Sequence, residues 1–391
     1  MLSRFMRLLI LCLLMLSLAS PGFAARRSST GGNLLIKDTD DIFFYPQRIG
    51  EYNRLVTFDL GSSSSSGSGG IIFGNESLVF GAFSHRSAFF GATQNAFQTI
   101  GDTASGGGTG STNIVDPPLI DPMQWFDFMF GWQGGENPWG ARVSVGRNQD
   151  DAVGSDETVD VTGVNIVVGF TINDIDLSGE FGLASAEHDN GAATPTITKD
   201  SPLGFAVSAR KTATDESDDL QLGWLGMFGY TTGGPEETGG ATSKVDESQI
   251  MFEVGAGPVY TPHERTSVAM YGTLGYDRDK AESSGSTFTM TNYVVPGWNI
   301  AAEVEVASWL QARAGVRSRF RIVTDKTEAS GSASVEDQGT SLEFSWHTGI
   351  GISFDDFTID GYFDPNVITS GTDLLGSNSD LFGLVTASYA F

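Results

Sequence analysis

The chain has 391 residues, with 22 Lys and Arg against 48 Asp and Glu and a formal net charge of −26. That balance excludes nucleic acid as a partner, because phosphate backbones are held by clustered Lys and Arg. There is one cysteine, Cys12. A disulfide framework, a multi-cysteine metal centre and a cysteine nucleophile beyond the first residues are therefore also excluded.

In chain order, the first element is a leader. Arg4 and Arg7 form a basic start, and Leu8 to Leu18 is an apolar run. Gly22 and Ala24 then occupy the minus-three and minus-one places of a cleavage site before Ala25. This is the layout of an export signal, 1–24. The run is shorter than the ~20 residues a spanning helix needs. Cys12 lies inside it, after Leu9, Ile10 and Leu11, rather than behind small residues as in a lipoprotein. Removing Arg4 and Arg7 takes the net charge from −26 to −28. No later apolar stretch is long enough to cross a bilayer as a helix. Residence in a membrane then requires a closed barrel, the other structure that satisfies its own backbone polar groups in lipid.

The segment 25–75 is of a different kind. Residues 38–60 are dense in charge and aromatics, and Ser62 to Gly70 is a Gly/Ser tract that reads as a loop. Stretches 53–60 and 70–74 are strand-like and are able to add a pair to a sheet.

From residue 76 onward the pattern is a two-residue alternation. Phe126, Phe128, Phe130 and Trp132 oppose Trp125, Asp127 and Met129. Ile175, Leu177, Phe181 and Leu183 oppose Asp176, Ser178 and Glu180. Leu342, Phe344, Trp346, Ile350, Ile352 and Phe354 oppose Ser341, Glu343, Ser345 and His347. Such runs match or exceed the ~9–11 residues of a tilted membrane strand. Tight turns at Asn173-Asp174, Ala307-Ser308 and Asp355-Asp356 alternate with long connections, the longest being 84–121. Short turns on the periplasmic side and long loops outside follow the rule for membrane barrels. The longer loops are acidic, as at Asp150-Asp151 and Glu236-Glu237. The expected fold is all-β: a transmembrane antiparallel up-and-down barrel of about 14 strands, range 12–16, over 76–391. Trp139, Tyr230, Tyr260 and Trp309 suit the aromatic girdles of such a barrel.

The last strand puts Val385, Ala387, Tyr389 and Phe391 on one face. It resembles the C-terminal membrane-insertion signal of Gram-negative outer-membrane proteins, carried here by Tyr389 and Phe391. The resemblance implies a cell outer-membrane location, contact with membrane lipid and lipopolysaccharide, and handling by the barrel-assembly machinery. Two further features resemble the long-chain fatty-acid transporter family. One is Asp40, Asp41, Tyr45 and Pro46, standing where that family has Asn-Pro-Ala; the Asn and Ala are missing here. The other is Val295-Pro296-Gly297-Trp298 leading to Glu303, then Arg313-Ala314-Gly315. This second resemblance implies that residues 26–60 form a hatch inside the lumen.

The facing assignments predict a charged interior. In 309–323, Leu310, Ala312, Ala314, Val316, Phe320 and Ile322 face lipid, so Arg313, Arg317, Arg319 and Arg321 face inward. An arginine on the lipid side would cost roughly 2–4 kcal/mol near the midplane. A turn at Ser308 sets Glu303 opposite Arg313, with Glu305 beside it; Glu343 and His347 face inward from the next strand. No acidic partner for Arg317, Arg319 or Arg321 is evident on the preceding strand. These eight residues are the candidate pore lining. With four histidines in the chain and no catalytic motif, no enzyme activity, cofactor or metal site is expected. The expected function is a channel for passive diffusion of small solutes. The alternatives are a hatch-gated transporter of hydrophobic compounds and a structural or docking barrel.

Overall fold

The computed structural model describes residues 25–61, 67–84, 124–151, 158–189, 197–212, 220–234, 236–238, 243–263, 266–283, 285–364 and 382–391. Residues 1–24, expected as a leader, and nearly all of the 84–121 loop lie outside the described residues.

Sixteen antiparallel staves form the wall. β1 (Leu55–Gly61), β2 (Gly67–Gly74), β3 (Leu78–Ser84) and β4 (Gln124–Trp132) are short. β5 (Trp139–Asp151), β6 (Thr158–Ile172) and β7 (Ile175–Asp189) follow. β8 is interrupted between Ile197–Asp200 and Leu203–Lys211, and β9 between Leu220–Gly233 and Glu236–Thr238. β10 (Ser243–His263), β11 (Thr266–Ser283), β12 (Ser286–Ala307), β13 (Leu310–Ala329) and β14 (Val335–Phe354) are the longest. β15 (Phe357–Phe363) and β16 (Phe382–Ala390) complete the set. β16 pairs with β1, Ala390 opposite Leu55, so the sheet closes on itself and leaves no edge.

The count exceeds the expected fourteen by the pair β1–β2, and the wall begins at Leu55 rather than at 76. The pair is hard to read in sequence because it is short and because Gly67, Gly69, Gly70 and Gly74 interrupt the apolar rhythm of β2. Phe58 of β1 lies over Gly69 of its partner and covers the missing side chain.

The two-residue rhythm sorts the faces. In β4, Phe126, Phe128 and Trp132 are exposed on the outside, while Asp127 and Met129 are each 3% exposed inside. In β13, Phe320 faces out and Arg313 is buried within. The hairpin turns at 173–174, 308–309 and 355–356 share one end with Leu55 and Ala390, which makes that end the periplasmic one. β10 to β14 have 18 to 22 residues, about twice what a bilayer needs, so their far ends stand beyond the membrane.

Residues 25–52 lie inside the cylinder. A helix (α1, Ala25–Ser29) ends at Gly31 and Gly32, whose φ angles of 64° and 69° are left-handed. The Gly32 N–H donates to the Arg27 carbonyl, which stops the helix and turns the chain. A single turn (α2, Asp41–Phe44) and a 3₁₀ segment at Pro46–Tyr52 follow. The apolar side chains of this segment dock at two places on the wall. Leu35 and Ile36 pack with Leu225, Val259, Ala269, Tyr271 and Ala301. Ile42, Phe43 and Ile49 pack with Ile72, Val79, Phe83 and Met129.

Candidate functional site: a charged lumen filled by the N-terminal segment

The centre of the lumen is a buried ion network joining the inserted segment to the wall. Arg210 of β8 grips Asp41 with both terminal nitrogens, at 2.7 and 2.8 Å, and its Nε donates to Asp176 of β7 at 3.2 Å. Its guanidinium also stacks 4.4 Å from the Tyr45 ring and donates to the Leu34 carbonyl. Arg27 bonds the same Asp41 carboxylate. Arg48 reaches Asp176 at 2.8 Å, and Thr171 donates to that carboxylate as well. These groups are almost wholly buried, and each charge has an opposite one, as a dry interior demands. Burial alone would raise the Asp41 carboxyl, but Arg210 and Arg27 overcome it and pull it down to about 2. Asp38 lacks such a clamp: burial pushes it up, with Arg27 only partly opposing.

A second network lies across the lumen. Arg26 forms a two-pronged pair with Glu303 at 2.8 and 2.9 Å. Arg313 bonds the same carboxylate at 2.7 Å, and also Asp360 of β15. The Ala25 N–H donates to Thr386, which donates on to Asp59, tying the start of the segment to the seam where β16 meets β1. Asn33 and Asn299 bond each other at 2.8 Å, and Asn299 also holds the Gly31 carbonyl.

The fit depends on inward glycines. Gly131, Gly140 and Gly169 stand opposite one another across β4, β5 and β6 and form a trough. The 3₁₀ segment lies in it. A Cβ on Gly140 would sit 2.5 Å from the Pro46 carbonyl oxygen, and one on Gly131 2.3 Å from Ile49. On the other wall a Cβ at Gly315 would fall 2.4 Å from the Thr30 carbonyl carbon, and one at Gly349 2.5 Å from Ser29. No flexible side chain lies between the two backbones at Gly140 or Gly315.

All eight candidate lining residues point inward. Glu303 and Arg313 face each other as the turn at Ser308 predicts, but they serve the inserted segment rather than an open channel. Glu305 stands opposite Gln311, and its N–H donates to Thr266. Arg319 finds its partner beyond the preceding strand: Glu253, on β10, at 3.0 Å. It lies three staves away, beyond the reach of a neighbour-strand argument. Arg321 pairs with Glu343 across β13–β14 at 3.0 Å. Arg317 is half-buried among these groups. His347 bonds Ser345 at 3.1 Å and the Tyr362 hydroxyl at 3.3 Å, beside Gly31. The inserted segment thus occupies the lower lumen, and Arg317, Arg319, Arg321, Glu253 and Glu343 line a charged vestibule above it.

No protein-family model and no curated protein sequence matches the chain. Three solved structures with which it shares similarity are of low identity. The ferric yersiniabactin uptake receptor FyuA of Yersinia pestis aligns over 61% of this chain and 44% of its own, at 11% identity and a TM-score of 0.40. The toluene transporter TodX of Pseudomonas putida aligns over 96% of this chain and all of its own, at 11% identity and a TM-score of 0.38. OmpT of Vibrio cholerae aligns over 86% and 95%, at 12% identity and a TM-score of 0.31. The chain spans less than half the length of FyuA. The fold is that of an outer-membrane β-barrel. That statement rests on the closed strand pairing and the apolar outer wall.

The sequence reading missed Arg26, Arg27, Arg48, Arg142, Arg210 and Asp360. Arg142 and Arg210 lie at inward positions of their strands, between outward Val143 and Ala141 and between Ala209 and Lys211. The facing rule applied to β13 would have flagged both. Arg142 is 1% exposed, sits over the Phe43 ring at 5.9 Å, and is 3.9 Å from Asp127.

Proposed function

We propose that this protein is a gated outer-membrane transporter for small hydrophilic solutes, with residues 25–52 as its hatch. The observation that carries the reading is the seating of that segment. It fills the lower lumen, and ion pairs rather than apolar packing alone hold it to the wall. Ion pairs suit a part that must leave and return, because water and solute ions can replace them. The vestibule above is lined by charge, and such walls select by field and hydrogen bonding, not by apolar affinity. The reading assigns no catalytic step.

A second reading, a transporter of hydrophobic compounds, draws on one observation. Lifting the hatch would bare Ile72, Val79, Phe83 and Met129 to the lumen.

Proteoliposomes separate the two. Gly315→Val pushes a side chain into the Thr30 backbone and unseats the hatch. The expected outcome is slow release of trapped polar dyes from wild-type vesicles and fast release from the variant. Crossing of a hydrophobic probe should stay at the rate of protein-free lipid. A folded, inserted variant with no gain in polar flux would sink the proposal, and protein-dependent flux of the hydrophobic probe would favour the second reading.

A further inference from the structure

Of the four inward arginines of β13, Arg313, Arg319 and Arg321 have carboxylate partners. Arg317 makes no hydrogen bond or ion pair among the described residues. Its neighbours across the sheet are uncharged: Asn299 on β12 and Ser345 on β14. Asn299 also holds the Gly31 carbonyl, and His347, bonded to Ser345, lies against Gly31. Arg317 therefore stands at the floor of the vestibule, directly above the hatch. The acids begin one step higher. Glu343 bonds Arg321, but half of its side chain is exposed, so the pair is loosely held. Nearer the mouth, where β11 and β13 run on past Arg321, the inward side chains include Asp277, Asp279 and Asp325. Asp279 and Asp325 each keep a buried oxygen with no donor bonded to it.

From this order of charges, carboxylates at the mouth and an unpaired guanidinium at the floor, we infer that the vestibule selects small zwitterions. These are solutes carrying a carboxylate and an ammonium a few bonds apart, and Arg317 and Glu343 determine the choice. The inference deepens the reading of the protein as a gated transporter of hydrophilic solutes, and rests on it. A guanidinium presents a planar fork that fits a carboxylate with two parallel bonds. The fork of Arg317 is not taken by protein groups, and the Ser345 hydroxyl stands beside it. A carboxylate set there feels Glu343 and Glu253, the acids whose fields reach Arg317. That field disfavours a plain anion and favours one that brings its own ammonium. At the mouth the three aspartates repel plain anions and draw in ammonium groups. A plain cation passes the mouth but meets Arg317, Arg319 and Arg321 below. A solute with both charges is matched at both levels. Held on Arg317, it rests above Asn299 and the Gly31 turn, a part of the hatch that has to move before the solute can pass.

The test is calorimetric titration of the detergent-folded chain from Ala25 onward, as wild type, Arg317→Met and Glu343→Gln. The probes are L-alanine and γ-aminobutyrate, which carry both charges, and butyrate and butylamine, which carry one each. Arg317 has no protein bond to lose, so Arg317→Met should fold as the wild type does, which circular dichroism checks. In the wild type at least one zwitterion should bind, and the single-charge probes should bind roughly tenfold more weakly or less. Arg317→Met should lose roughly 10- to 100-fold in zwitterion affinity with its charge-assisted pair. Glu343→Gln should weaken zwitterion binding and strengthen that of butyrate. Unchanged zwitterion affinity in folded Arg317→Met overturns the inference. So does butyrate binding as tight as that of the zwitterions, or no binding of either zwitterion. Vesicles carrying Gly315→Val keep the two ideas apart. Polar flux through them without zwitterion binding defeats the specificity alone; zwitterion binding at Arg317 without a gain in flux defeats the hatch reading and leaves the site standing.

Discussion

At the scale of single residues, the account turns on Arg210. It answers Asp41 of the hatch and Asp176 of the wall at once, so removing it breaks the link between them and leaves Asp41 to Arg27 and Asp176 to Arg48. Breaking a buried pair in this way costs about 3–5 kcal/mol. Arg210→Ala should therefore loosen the hatch without opening the wall strands. Trypsin cleavage after Arg26, Arg27 or Arg48 would report it, with fast cutting in the variant and protection in the wild type. The pH response follows from Asp41. Its carboxyl is held down at about 2, against an unfolded value near 3.9. A depressed acid contributes stability that is complete above the unfolded value and is lost as pH falls through the folded one. Through Asp41, seating should weaken from about pH 4 downward, whereas Asp38, pushed up by burial, favours seating as it takes up its proton above that point. Pepsin, active in that window, would show the hatch becoming cleavable there; release already at pH 6 would contradict the assignment.

Among elements, what the sequence makes legible depends on how regular the environment is. β10 to β14 lie between lipid and lumen, and that two-sided solvent writes a strict alternation. Their faces, the Glu303–Arg313 match and the inward arginines all follow from it. β1 and β2 are short, and glycines break their rhythm, so the sequence marks 53–60 and 70–74 as strand-like without placing them in the wall. The hatch has no lipid face and no period. Only composition and a family resemblance pointed to residues 26–60, and its partners come from strands far apart in the chain. The glycine trough is invisible along any one strand, because it exists only across three. It also supplies a test at this scale. Gly140→Ala sets a methyl group against the Pro46 carbonyl and should unseat the 3₁₀ segment. Gly339→Ala, on β14, meets nothing within 4 Å and should behave as wild type. Hydrogen exchange of the 46–52 amides measures this directly: faster exchange in Gly140→Ala, none in Gly339→Ala. Similar protection in both would mean that the trough does not position the hatch.

For the whole molecule, the apolar outer wall, the sealed β1–β16 seam and the seated N-terminal segment describe one object: a closed cylinder with residues 25–52 packed in its lumen. Acidic net charge and near-neutral mean hydropathy (−0.07) suit it as well as they suit a soluble protein, so bulk composition did not decide the fold. The alternation and the connection lengths did. The most direct measurement is single-channel recording in planar bilayers, comparing the chain from Ala25 onward with a version lacking residues 25–52. The account predicts rare, small openings for the first and large, steady, ion-conducting steps for the second. Equal conductance in the two, with both inserted, would mean that the segment is not what closes the lumen.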